Sequence, residues 1–147
     1  MRIDRGDLIY FSPTGTTRQV LTAIAQSIAP AIIRHVDLTL PGATIPESSP
    51  DYDFNSPRRH IVVLGAPVYA GRLPSVAVER LRALRGQGEP AVLVVVYGNR
   101  AYEDALLELS DLASDLGFRP VAGAAFIGEH SYSSPSTPIA AGRPDDE

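Results

Sequence analysis

Residues 10–20 read YFSPTGTTRQV and place four hydroxyls, on Ser12, Thr14, Thr16 and Thr17, around Gly15. A short apolar run precedes them and an apolar rhythm of helical spacing follows. The free N–H groups of a helix start therefore converge there with side-chain donors, a combination that holds an anion. N-capping alone accounts for one such hydroxyl, and this loop carries more than capping needs. The spacing is neither GxxxxGK nor GxGxxG, so neither a nucleoside triphosphate nor a dinucleotide pyrophosphate is indicated. Two later stretches, Pro67-Val68-Tyr69-Ala70-Gly71-Arg72 and Tyr97-Gly98-Asn99-Arg100-Ala101-Tyr102, carry tyrosines on which a flat ring could lie face or edge. Gly71 and Gly98 allow close backbone approach to its polar edge. A phosphate at one loop and a flat heterocycle at two others describe a mononucleotide.

The composition narrows the chemistry further. The 147 residues suit one domain, 1–147, with a sizeable core. There is no Cys, which removes disulfides, thiolate nucleophiles, iron–sulfur ligands and the usual structural zinc. There is no Lys either, since all 13 basic residues are Arg. That removes Schiff-base chemistry and the phosphate-binding lysine of nucleoside triphosphatases. A formal net charge of −4 argues against a nucleic-acid partner. No apolar run approaches membrane-spanning length, and MRIDRGD lacks a signal-peptide core, so a cytoplasmic location is expected.

The elements that must position these loops alternate in type. Leu8 to Phe11 reads as a buried strand, and Val20, Leu21, Ile24, Ala25 and Ile28 then fall on one helical face that Pro30 ends. Ile32 to Leu38 is a second strand, nearer an edge. An irregular connection with Pro41, Pro46, Pro50 and Pro57 follows. Ile61 to Leu64 is a third strand, Pro74 to Arg85 a helix, and Ala91 to Tyr97 a strand with no polar side. Ala105, Leu109, Leu112 and Leu116 share a helical face closed by Gly117, and Pro120 to Ile127 supplies a fifth strand. Strands apolar on both faces, alternating with amphipathic helices, predict an α/β three-layer sandwich on a five-stranded parallel sheet. In such sheets ligands bind beyond the carboxyl ends of the strands. The loops there are SPTGTTR, APVYAGRLP, GNRAYED and GEHSYSSPST, whereas the loops at the opposite end read as plain connectors.

At this point the residues resemble a family. The Ser12-x-Thr14-Gly15-x-Thr17 pattern, the loop at Pro67-Val68-Tyr69 and the Gly98-Asn99 loop look like flavodoxin-like proteins that bind flavin mononucleotide. More narrowly, GAPVYAGRLP, VVVYGNRAYEDALLEL and AFIGEHSYS are similar to the flavodoxin-type half of proteins that join such a domain to a ferredoxin-type iron–sulfur domain. The resemblance covers the whole chain in its order of elements and implies the strand order 2-1-3-4-5. It implies a non-covalent FMN, with its phosphate on Ser12, Thr14, Gly15, Thr16 and Thr17. The ring would lie between Pro67, Val68, Tyr69, Ala70 and Gly71 on one side and Tyr97, Gly98, Asn99, Arg100 and Tyr102 on the other. Thr16 stands where the family commonly has Asn, and the absence of Cys leaves no iron–sulfur half. PDDE, at 144–147, has the character of a helix start, so the last helix of such a fold is expected outside this sequence.

The expected function is electron transfer between FMN and a partner protein, for which a ferredoxin-type iron–sulfur protein or domain is the candidate that the resemblance implies. An FMN-dependent NAD(P)H or quinone oxidoreductase, or an interaction module without FMN, are the alternatives. A phosphoryl-accepting receiver domain shares the strand order but needs acids after the first and third strands and a Lys after the fifth. Phe11-Ser12, Gly65-Ala66 and the lack of Lys exclude it. No metal site is expected. Arg72 and Arg100 sit in the ring-binding loops and could meet negative charge, or pair with Glu103 and Asp104. Glu129-His130 suggests a local hydrogen bond more than acid–base catalysis. His35 and His60 are expected at strand starts, away from the site. Residues 128–147 read as a C-terminal loop or tail, within which 131–138 could form a lid.

Overall fold

The computed structural model of the protein describes residues 2–43 and 59–145. Strands β1 (Arg5–Tyr10), β2 (Ile32–Asp37), β3 (His60–Pro67), β4 (Pro90–Tyr97) and β5 (Arg119–Ile127) alternate with helices α1 (Thr16–Ile28), α2 (Ser75–Leu81) and α3 (Ala105–Asp115). All pairings are parallel, and the sheet runs β2-β1-β3-β4-β5. The irregular connection expected up to Pro57 lies, beyond residue 43, outside the described residues.

Strand alternation divides the core into two layers. Leu8 and Tyr10, with Val63, Val94 and Val96, pack against Val20, Leu21 and Ala25 of α1. Ile9, Val62, Leu64, Leu93 and Val95 belong to the other layer, with Leu81, Leu84, Leu109 and Leu112. Right-handed crossovers explain the arrangement. The chain steps from β1 to β2 in one direction and from β3 through β5 in the other, so α1 covers one face and α2 with α3 the other. The loops leaving β1 and β3 part at that reversal and open a crevice at the carboxyl ends. Among the described residues one helix covers the α1 face and two cover the opposite one. A groove of about 1140 Å³ accordingly runs between α1 and β5, with Val20, Ile24 and Phe126 among its lining residues.

Several boundaries depart from the sequence expectation. β1 begins at Arg5 rather than Leu8, because Asp7 is neutralised inside the sheet. Its Oδ2 accepts from Arg5 Nη2 at 2.7 Å and lies 2.9 Å from His60 Nε2. Asp7 is fully buried and Arg5 nearly so, an arrangement a carboxylate tolerates only when paired. Burial pushes its pKa up, but hydrogen bonds from His60 and Arg5 outweigh that and hold it below the ordinary carboxylate range. His60 starts β3 as expected, whereas His35 sits inside β2, with Nδ1 3.4 Å from the Tyr10 hydroxyl. α2 stops at Leu81 instead of Arg85 because bonding shortens to i−3. Ala83 N–H reaches the Arg80 carbonyl and Leu84 N–H the Leu81 carbonyl, which turns Leu84 into the core. β5 is an outer strand, with Val121, Phe126 and Ile127 over a third exposed. Among the described residues no helix follows β5, and none is long and apolar enough to cross a membrane.

Candidate functional site

The loop from β1 to α1 is shaped by Gly15, whose φ of 83° is left-handed and would strain any L side chain. Ser12 anchors the loop at three points. Its N–H donates to Thr39 Oγ1 at 2.9 Å, its carbonyl accepts the Gly15 N–H at 3.2 Å, and its Oγ accepts the Arg18 N–H at 3.1 Å. Gly15 is the N-cap residue of α1, and Ser12 braces the loop by accepting a first-turn N–H without lining the cleft. The N–H groups of Thr14, Thr16 and Thr17 meet no acceptor among the described residues. The hydroxyls of Thr14 and Thr16 stand 3.2 Å apart beside them. Three open N–H donors at a helix start, with two hydroxyls, can hold a phosphate-sized anion.

These donors open into a cleft of about 400 Å³. Pro67, Val68, Tyr69 and Ala70 line it after β3, and Val96, Tyr97 and Gly98 after β4. Tyr69 to Arg72 forms a two-residue reverse turn. Tyr69 N–H donates to the Arg72 carbonyl at 2.8 Å and Arg72 N–H returns at 3.1 Å. Ala70 (φ 50°) and Gly71 (φ 75°) are both left-handed, the geometry of a type I′ turn. A Cβ on Gly71 would clash with the Glu103 carboxyl, so that turn interlocks with the loop after β4. Val68 N–H donates to the Val96 carbonyl at 2.9 Å and ties the two walls together.

Gly15, Gly71, Asn99, Arg100 and Tyr102 join Ser12 outside the cleft lining. Tyr102 packs on Tyr97, with ring centroids 5.4 Å apart. Arg72 engages α3 instead of the cleft, its Nε 2.9 Å from Glu108 Oε2, which also accepts the Leu73 N–H. The hydrogen bond from Arg72, aided by that from Leu73, draws the Glu108 pKa down against a smaller effect of burial.

Sequence reasoning placed the segment after β5 at this end of the sheet but assigned it no site residue. In the structure Gly128, Glu129, His130, Ser131 and Tyr132 complete the cleft. The segment is a folded strap. Glu129 N–H donates to the Arg143 carbonyl and His130 N–H to the Ile139 carbonyl, and Ser134 and Thr137 exchange backbone bonds across a tight turn. Glu129 Oε2 accepts the Gly142 N–H and His130 Nδ1 the Tyr132 N–H, so the two side chains serve the strap rather than each other. The available signal was glycine: a Cβ on Gly128 would come within 2.8 Å of both Thr16 and Val96. Among the described residues no Arg lines the cleft, and Arg18 borders the α1–β5 groove instead. An anion here is therefore held by neutral donors and the helix dipole.

Solved structures share this architecture. A protein of Bacteroides eggerthii is 17% identical, with 82% of this chain and 87% of that one covered and a TM-score of 0.56. A flavoprotein from Lactobacillus acidophilus, solved in complex with FMN, is 12% identical over 83% and 93% of the two chains, with a TM-score of 0.55. A flavodoxin of Streptococcus pneumoniae is 16% identical over 82% and 83%, with a TM-score of 0.54. At these identities the likeness is one of fold, and the fold is flavodoxin-like. No protein-family model matches the sequence, and no curated protein matches it significantly.

Proposed function

We propose that the cleft binds FMN without a covalent bond and that the protein carries electrons between FMN and a partner protein. The carrying observation is the convergence of the open Thr14, Thr16 and Thr17 N–H groups with apolar and aromatic walls in one cleft at the sheet's topological reversal. The FMN complex of similar fold supports the same cofactor. FMN, when bound, supplies one- and two-electron chemistry. The protein's part is position and field. Thr14, Thr16 and Thr17 take the phosphate, with Gly15 supplying the backbone reversal and Ser12 bracing the loop. Val68 and Tyr69 form one wall for the ring and Tyr97 with Gly98 the other. Among the described residues no Arg lines the cleft, so negative charge on a reduced flavin would have no arginine beside it, which favours a low potential. Tyr69 is half exposed at the mouth, where a redox partner can approach. A ferredoxin-type iron–sulfur protein is the first partner to try.

The test is optical. Protein purified with FMN is yellow, and Thr14→Val, which removes one hydroxyl donor, weakens FMN about three- to tenfold. The same change leaves riboflavin, which carries no phosphate, nearly unaffected. Protein that stays colourless with added FMN refutes the reading. Bleaching by NADH or NADPH without a partner identifies a reductase in place of a carrier.

A further inference from the structure

We propose that His130 is a cofactor-contacting residue whose Nε2–H donates a hydrogen bond to the ring end of the bound flavin. The inference rests on the FMN reading above and assigns a role to the strap after β5. His130 Nδ1 accepts the Tyr132 N–H at 3.1 Å, so the neutral ring carries its proton on Nε2. The residue is held on both sides. Its backbone N–H donates to the Ile139 carbonyl, its backbone carbonyl accepts the Ser133 N–H, and the Tyr132 ring lies 5.3 Å from the imidazole. The Cγ–Cδ2 edge of the imidazole lies against Gly98, where a Cβ would stand 2.5 Å from Cδ2, the ring carbon bonded to Nε2. Gly98 is therefore glycine because the imidazole occupies its side-chain space. That places the donor beside the loop after β4 rather than at the open N–H groups of the phosphate loop. Nε2 has no partner among the described residues, and His130 lines the cleft. In a cleft without Arg or Lys, a preorganised neutral donor at the ring end discriminates a flavin from a bare phosphate ester.

The test is titration of the apoprotein with FMN and with riboflavin, followed by quenching of flavin fluorescence. His130→Phe keeps a ring against Gly98 but no donor, and His130→Gln keeps an N–H₂ at similar reach. His130→Phe is expected to weaken FMN and riboflavin by the same factor, about three- to tenfold. His130→Gln is expected to stay within about threefold of the parent for both ligands. Equal affinities for parent and His130→Phe overturn the proposal. So does a loss confined to FMN, which would put the contact at the phosphate, or a His130→Gln loss as large as that of His130→Phe. A parent protein that binds neither ligand overturns the FMN reading itself, and this proposal with it.

Discussion

Gly65, in β3, lies directly under α1, and substituting it tests how tightly the helix that carries the phosphate loop is seated. A Cβ there would stand 2.4 Å from Leu21 Cδ1 and 2.9 Å from Thr17 Cγ2. Carbon atoms at rest sit about 3.5–4.0 Å apart, so one or both neighbours must retreat by about an ångström. Thr17 and Leu21 occupy one face of α1, a turn apart, and a rotamer change at Leu21 alone does not free Thr17. The start of the helix must lift. Overpacking of this kind costs about 1–3 kcal/mol, which for a chain of this size lowers the melting temperature by about 2–10 °C. Gly65→Ala is measured by thermal unfolding and by FMN titration, and it weakens FMN because the Thr16 and Thr17 N–H groups move with the helix. The double variant with Leu21→Ala supplies the control. Removing the clashing methyls makes the pair less destabilised than the sum of its single variants, by about 1 kcal/mol or more. A Gly65→Ala protein that melts within 1 °C of the parent, or strictly additive effects in the pair, would refute the packing argument.

Two further outcomes are expected. Ala70 occupies a left-handed position that suits Asn better, so Ala70→Asn, creating Asn-Gly in the type I′ turn, raises stability by about 0.5–1 kcal/mol in a denaturant titration. A lower unfolding midpoint contradicts that assignment. Asp7→Asn breaks the buried group with Arg5 and His60 and costs about 3–5 kcal/mol at pH 7. Asp7 has a lower pKa folded than unfolded. Its contribution is therefore complete above about pH 4 and lost as pH falls through the folded value. Stability curves of parent and variant converge in acid, and a constant gap down to pH 2 would sink the account.

What could be read ahead of the structure was what periodicity and adjacency encode. AVLVVVY has no polar side and became an inner strand with both faces covered, and Thr16 to Ile28 kept its apolar stripe against the sheet. The strand order came with the family resemblance, and the gathering of four loops at one end follows from parallel pairing of strands that alternate with helices. What escaped depends on contacts between residues distant in sequence. Arg5 and Asp7 look like solvated charges until they pair inside the sheet, where His60 from another strand meets the same carboxylate. Ser12 reads as a ligand hydroxyl, yet Arg18 and Thr39 claim its polar atoms. Arg72 reads as a ring-loop cation, and Glu108 on α3 draws it away. The strap escaped because Gly98 and Gly128 acquire meaning only when His130, Thr16 and Val96 fill the space that their side chains would take.

The interlock of Gly71 with Glu103 bears on loop exchange. The Glu103 side chain occupies the space that a Cβ at 71 would take, so a side chain there requires Glu103 to turn away or shrink, in addition to the strain of a left-handed backbone. The loops after β3 and β4 are thus fitted to each other at this point. A chimera that takes the loop after β3 from a relative, but leaves the loop after β4, brings together halves selected against different neighbours. Grafts that exchange residues 67–73 and 98–104 together preserve the fit, and recombination between them breaks it.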